Sequence, residues 1–248
     1  MPVPTKSQLL VLLTFIIFAA SAQTKDLSYY QCAFFESYRS GNMGQWRELI
    51  TEMENAKSAD LAWQTEMVKA MYGMVGYEIG AKNMDLAKVY VEKADIYVDK
   101  LLEKYPKNAR IHSISAALYG YKIALAPYKA TLLGQKNLSH IEQAIGLDPA
   151  EPMGQIEKGN SLMYRPAIFG GDRKAALTCY LLALKLMEAQ NSQPCDWQKM
   201  LLRAFILKAL YANHQTAEAS TFLEKMQKDY GSIDWIKPFV GEDYMGGK

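Results

Sequence analysis

The sequence predicts an all-α protein in which about ten helices pair into about five hairpins. Three observations carry that expectation. Apolar residues recur at intervals of three and four, and no stretch shows the period-two alternation with β-branched residues of a half-buried strand. Breaks at 40–42, 57–59, 80–83, 105–108, 134–137, 147–152, 166–171, 191–194 and 212–215 leave short connections, which force antiparallel neighbours. A spacing of small, bulky and small residues returns at intervals of about forty residues.

The first element is an export segment. Residues 1–8 are polar and include Lys6, the uncharged run LLVLLTFIIFAA fills 9–20, and Ala20-Ser21-Ala22 follows with small residues where an export peptidase reads them. Twelve helical residues rise only about 18 Å, too short for a hydrocarbon core of about 30 Å. The expectation is a signal peptide over 1–22 cleaved after Ala22, leaving a soluble periplasmic chain with no membrane span. A helical repeat domain over 23–231 follows, and then a tail over 232–248 whose GEDYMGGK end is read as frayed.

Within the repeat domain the spacing falls on Trp46, Ile50 and Met53, then on Ala87, Val91 and Ala94. It recurs at Asn137, Ile141 and Ala144, at Ala176, Tyr180 and Ala183, and at Ala219, Leu223 and Met226. A small residue lets the two helices of a hairpin approach, and the bulky one fills the groove beside it. Pro149 in GLDP ends its helix, because Pro cannot continue one. Gly159 and Ala116, each ten residues after a Pro, stand where the first helix of a hairpin needs a small residue. From Pro106 to Pro149 is 43 residues, and the excess over a thirty-four-residue repeat is placed near 126–133, where Pro127 should kink or end a helix. A second excess is the RPAIFGGD segment, in which Gly170 and Gly171 supply positive φ and Asp172 caps the following helix.

These spacings are those of the tetratricopeptide repeat. Segments GYKIALAPYKATLLGQKNLSHIEQAIGLDPAEP and GNSLMYRPAIFGGDRKAALTCYLLAL resemble exported tetratricopeptide-like proteins of Bacteroidetes-type bacteria. More distantly they resemble the periplasmic T component of TRAP transporters. The most specific piece is PAIFGGDRKA, Pro166 to Ala175, and the resemblance covers about residues 60–230. It implies a right-handed superhelical array of about five tetratricopeptide-like hairpins whose first helices line a concave face. For the T component it implies an oligomer beside a solute-binding protein.

Composition narrows the function. A chain of 248 residues that is 50% hydrophobic and 22% charged is globular, and a net charge of +2 gives no concentrated basic surface for nucleic acid. Three His and three Cys make a multi-ligand metal site a poor expectation. His112, His140 and His214 are assigned to three different hairpins and none has a ligating residue at i+4. No P-loop, G-x-S-x-G or C-x-x-C occurs, so neither a catalytic residue nor a cofactor is expected and the chain is read as no enzyme. A Cys179–Cys195 bridge would have to span about 16 Å of helix, so all three Cys are read as small buried apolar residues.

Binding is the remaining class. Asn160 and Tyr164 are four apart on one helix face after Gly159, and the same register turns Tyr121, with Arg110 and Ser113, toward the groove. Tyr and Asn combine contact area with paired donors and acceptors. Two partners fit such a groove: an envelope protein or peptide, or a small solute delivered to a transport system. Alternatively Tyr121 and Tyr164 plug the superhelix.

Overall fold

The polar breaks become helix caps. Asp26, Asn42, Asp60, Asn108, Glu151, Asp172 and Asp196 each accept a hydrogen bond from a backbone N–H of the helix they precede. The computed structural model describes residues 25–190 and 195–241, so the export segment and the 242–248 end lie outside the described residues. Among those described the elements are α1 (Leu27–Ser40), α2 (Met43–Asn55), α3 (Leu61–Gly80), α4 (Met84–Lys104), α5 (Ala109–Leu125), α6 (Ala130–Leu147), α7 (Pro152–Tyr164), α8 (Arg173–Ala189), α9 (Trp197–Ala212), α10 (Thr216–Tyr230) and α11 (Ile236–Val240). Short 3-10 turns at Pro127–Lys129 and Ala167–Phe169 fill the two inserted segments, and no described residue is in a strand. No helix among them is long and apolar enough to cross a membrane.

Helices α1/α2, α3/α4, α5/α6, α7/α8 and α9/α10 pack as consecutive hairpins, and each hairpin stacks on the next through α2·α3, α4·α5, α6·α7 and α8·α9. Helix α5 also packs on both α3 and α7. The spaced small and bulky residues face these contacts. All of those in the first four matches are buried, as are Ala219 and Met226, while Leu223 is half-buried. Gly159 is small because Tyr180 lies against it, with a ring carbon 2.4 Å from where a Cβ would stand.

Four sequence expectations are corrected. There is no break at 134–137. Helix α6 runs through it from Ala130, because the 3-10 turn that begins at Pro127 already reverses the chain. Only Gly170 of the glycine pair has positive φ, at 88°. Gly171 is there for close approach, since a Cβ would fall 1.8 Å from the Arg165 carbonyl oxygen. Residues 233–240 are not a tail: Ile233, Ile236 and Val240 are buried, and α11 packs on α9. Finally, two of the cysteines are not free. Cys32 in α1 and Cys195 just before α9 form a disulfide across 163 residues, leaving Cys179 free and buried.

That disulfide marks where the array meets itself. Helix α1 packs on α9, so the first and last hairpins touch. Their shared core is aromatic. Trp46 meets Trp197 edge-on at 4.9 Å, Phe34 and Tyr38 lie 4.8 and 5.6 Å from Trp46, and Tyr38 lies 4.8 Å from Trp235. Two of the indoles donate to backbone, Trp46 to the Ala70 carbonyl and Trp235 to the Tyr38 carbonyl, while the buried Trp197 indole N–H has no hydrogen-bond partner among the described residues.

Asp172 tests the local reading. Its carboxylate accepts from the backbone N–H of Lys174 at 2.9 Å and of Ala175 at 3.0 Å. Asp172→Ala should lower unfolding stability by about 1 kcal/mol, and an unchanged denaturation midpoint would show that the cap contributes nothing.

Candidate functional site

The residues expected in the concave groove do not stay together. Arg110, at the start of α5, pairs with Glu151 at 2.9 Å, and Ser113 is buried with its hydroxyl donating to the Ala109 carbonyl. Both sit at the far end of α5 from Tyr121. Tyr121, Asn160 and Tyr164 do share a surroundings, centred on a residue the sequence reading passed over, Glu157.

Glu157 is buried on α7, one turn before Asn160. The Asn160 amide donates to its Oε2 at 3.2 Å, and the Tyr180 hydroxyl donates to the Asn160 carbonyl oxygen at 2.9 Å. Tyr121 packs on Tyr72 with ring centroids 5.4 Å apart. The other carboxyl oxygen of Glu157 has no hydrogen-bond partner among the described residues. Burial pushes the Glu157 carboxyl up to about 8, against the hydrogen bonds from Asn160 and Tyr72 that favour its charged form. At neutral pH it is therefore largely a neutral acid. The helical spacing of Glu157, Asn160 and Tyr164 could have suggested this cluster, but nothing in the sequence distinguishes Glu157 from a solvated glutamate.

Tyr164 lies at the rim of that cluster, 57% exposed, with the Lys208 ammonium 5.6 Å from its ring centroid. Beyond it Ile168 and Phe169 project from the inserted turn, 85% and 68% exposed.

A second surface runs along the α5/α6 hairpin. Leu132, Lys136 and His140 follow one another at intervals of four and share a side of α6, and Tyr128, four residues earlier, sits in the 3-10 turn just before it. Tyr128 and Leu132 are 84% and 64% exposed. Tyr119 of α5 lies alongside, stacked on His140 at 5.5 Å. Lys122 and Lys136 stand 4.6 and 5.7 Å from the Tyr119 ring centroid, and Lys129 stands 5.6 Å from that of Tyr128. Lys122 also pairs with Asp95 of α4. The strip thus offers two aromatic rings and a leucine, rimmed by ammonium groups.

His140 is not isolated in its own hairpin, as the sequence reading had it. His112 and His140 belong to the two helices of the same hairpin, and their Nδ1 atoms are 3.0 Å apart. His112 Nε2 lies 2.9 Å from the Pro106 carbonyl oxygen. Residues 28 positions apart meet only when α5 and α6 fold against each other, so spacing along the chain does not reveal the pair. Elsewhere a cleft of about 210 Å³ lies between Met53, Trp63, Met67 and Tyr97. Among the described residues no three His, Cys, Asp or Glu side chains come together as a metal site.

No protein-family model matches the sequence, and no curated protein is similar to it in sequence. Among solved structures, the fold is similar to that of the HusA haemophore from Porphyromonas gingivalis. The two share 15% sequence identity and a TM-score of 0.60, over 75% of this chain and 94% of that one.

Proposed function

We propose that this is a non-catalytic, exported binding protein, a right-handed array of tetratricopeptide-like hairpins whose cargo is a flat, largely apolar molecule of the porphyrin class. The observation that carries this reading is the α5/α6 strip. Exposed Tyr128 and Leu132 and the flanking Tyr119 present aromatic and aliphatic surface that a single hairpin has no folding reason to leave uncovered. Lys129 and Lys136 stand where they would meet carboxylates at the edge of such a ligand. A flat apolar body with acidic substituents is the chemistry of a haem-type tetrapyrrole, and a haemophore shares the fold. The porphyrin is cargo in this reading, and the protein performs no reaction on it. The motif positions of the five hairpins, all buried except the half-buried Leu223, support the repeat assignment.

The test is equilibrium titration of the mature chain, residues 23–248, with haem and with metal-free protoporphyrin, followed by absorbance and by quenching of intrinsic fluorescence. Saturable one-to-one binding is expected, and the double variant Leu132→Glu, Lys136→Glu should weaken it about tenfold or more, since each change puts an anion against the ligand. Absence of saturable binding by the wild type would sink the reading.

A second reading is favoured by Tyr164, Ile168 and Phe169. An envelope protein or peptide, rather than a solute, would use this exposed apolar rim, with Tyr121 and Asn160 supporting Tyr164 from beneath. Its signature is a polypeptide captured from an envelope extract by the wild type and lost with the triple variant Tyr164→Ser, Ile168→Ser, Phe169→Ser.

A further inference from the structure

We propose that His140 Nε2 is the axial donor to the metal of a metalloporphyrin lying on the α5/α6 strip, with His112 and the Pro106 carbonyl as its positioning groups. The inference rests on the porphyrin reading above and deepens it by naming the atom that grips the metal.

A carbonyl oxygen can only accept a hydrogen bond. Because Pro106 O lies 2.9 Å from His112 Nε2, that nitrogen carries the proton. In a neutral pair two facing N–H groups do not hydrogen-bond, so His112 Nδ1 is then the acceptor in the 3.0 Å contact and His140 Nδ1 the donor. His140 is thereby fixed in the tautomer whose lone pair resides on Nε2. That nitrogen has no hydrogen-bond partner among the described residues. A hydrogen bond from the other ring nitrogen is what orients a metal-binding histidine and raises its basicity. Stacking on Tyr119 fixes the plane of the ring as well.

A bare metal ion does not suit this place, because among the described residues no second and third ligand converge on it. A metal whose four equatorial positions are already filled by a macrocycle needs one further donor, and His140 supplies one. Lys136, one helical turn before His140, and Tyr119 beside it then meet the macrocycle's edge and face.

The experiment compares wild type and His140→Ala with two probes, ferric haem and metal-free protoporphyrin, read by Soret absorbance and fluorescence quenching. The expected result is a histidine-ligated haem spectrum in the wild type that His140→Ala loses, with haem affinity reduced about tenfold or more. Binding of metal-free protoporphyrin should be unchanged, which also shows that the variant is folded, and free imidazole should restore the ligated spectrum. His112→Ala should leave a ligated but weakened haem complex. If His140→Ala gives the wild-type haem spectrum and affinity, the axial assignment is overturned while the porphyrin reading stands. If the wild type binds neither probe, the porphyrin reading fails and the axial assignment with it.

Discussion

Stability should fall as pH rises from about 4.5 to about 8, and Glu157 should be a principal cause. The folded protein holds this carboxyl protonated well above the pH at which the unfolded chain releases it. Through that window the folded state binds more protons than the unfolded state, so the slope of unfolding free energy against pH is negative. The contribution is fully present below the unfolded value of 4.5 and is lost as pH passes through about 8. Its size is on the order of a few kcal/mol. Asp95, which burial also pushes up despite its Lys122 partner, adds to the same trend. Glu157→Gln isolates the effect, since the amide keeps the shape and cannot ionise. Denaturant unfolding of both proteins across the window should show wild-type stability falling relative to the variant as pH rises. Parallel curves would mean that the buried carboxyl is solvated in a way the Asn160–Tyr180 network does not suggest.

Breaking the Cys32–Cys195 disulfide should produce a loss of comparable size. The bridge closes 163 residues of chain, a loop for which the chain-entropy model gives about 5 kcal/mol, and measured losses for native disulfides of small secreted domains run at about 2–5 kcal/mol. The double variant Cys32→Ser, Cys195→Ser should shift the denaturant midpoint accordingly, and reductant should do the same to the wild type. Cys179→Ser should keep the wild-type response to reductant, because that thiol is free and buried and takes no part in the bridge. A midpoint unaffected by reductant would mean that the aromatic contacts of Phe34, Tyr38, Trp46 and Trp197 hold α1 against α9 by themselves.

What could be seen in advance follows the range of the interaction. The spacing at Ala87, Val91 and Ala94 and its four counterparts is local, set by how one helix lies in the groove of the next, and those positions are where the packing is. Pro127 ending α5, Asp172 capping α8 and Gly159 admitting Tyr180 are similarly local. Cys32 meeting Cys195, Trp235 meeting Tyr38 and His112 meeting His140 are not. The first two depend on how all the hairpins between them stack, which is written in no single one. The third depends on the rotation of α6 about its axis, and that rotation changed once the helix began at Ala130 rather than after a break at 134–137. Of the expected groove residues, Asn160 and Tyr164 were legible as neighbours on one helical face. Glu157 was not, because a buried and a solvated glutamate are the same letter until the neighbouring hairpins close over it.

The bond between the Trp235 indole and the Tyr38 carbonyl joins residues 197 positions apart and sets an order of events during biosynthesis. Helix α1 leaves the ribosome first yet acquires Cys195, Trp197 and Trp235 as neighbours only when the last fifth of the chain has followed. Local hairpins can form as they emerge, but the non-local closure that completes the core cannot be made vectorially. A nascent chain of this design stays unfinished for most of its synthesis, and Cys32 can find Cys195 only once most of the chain has been made.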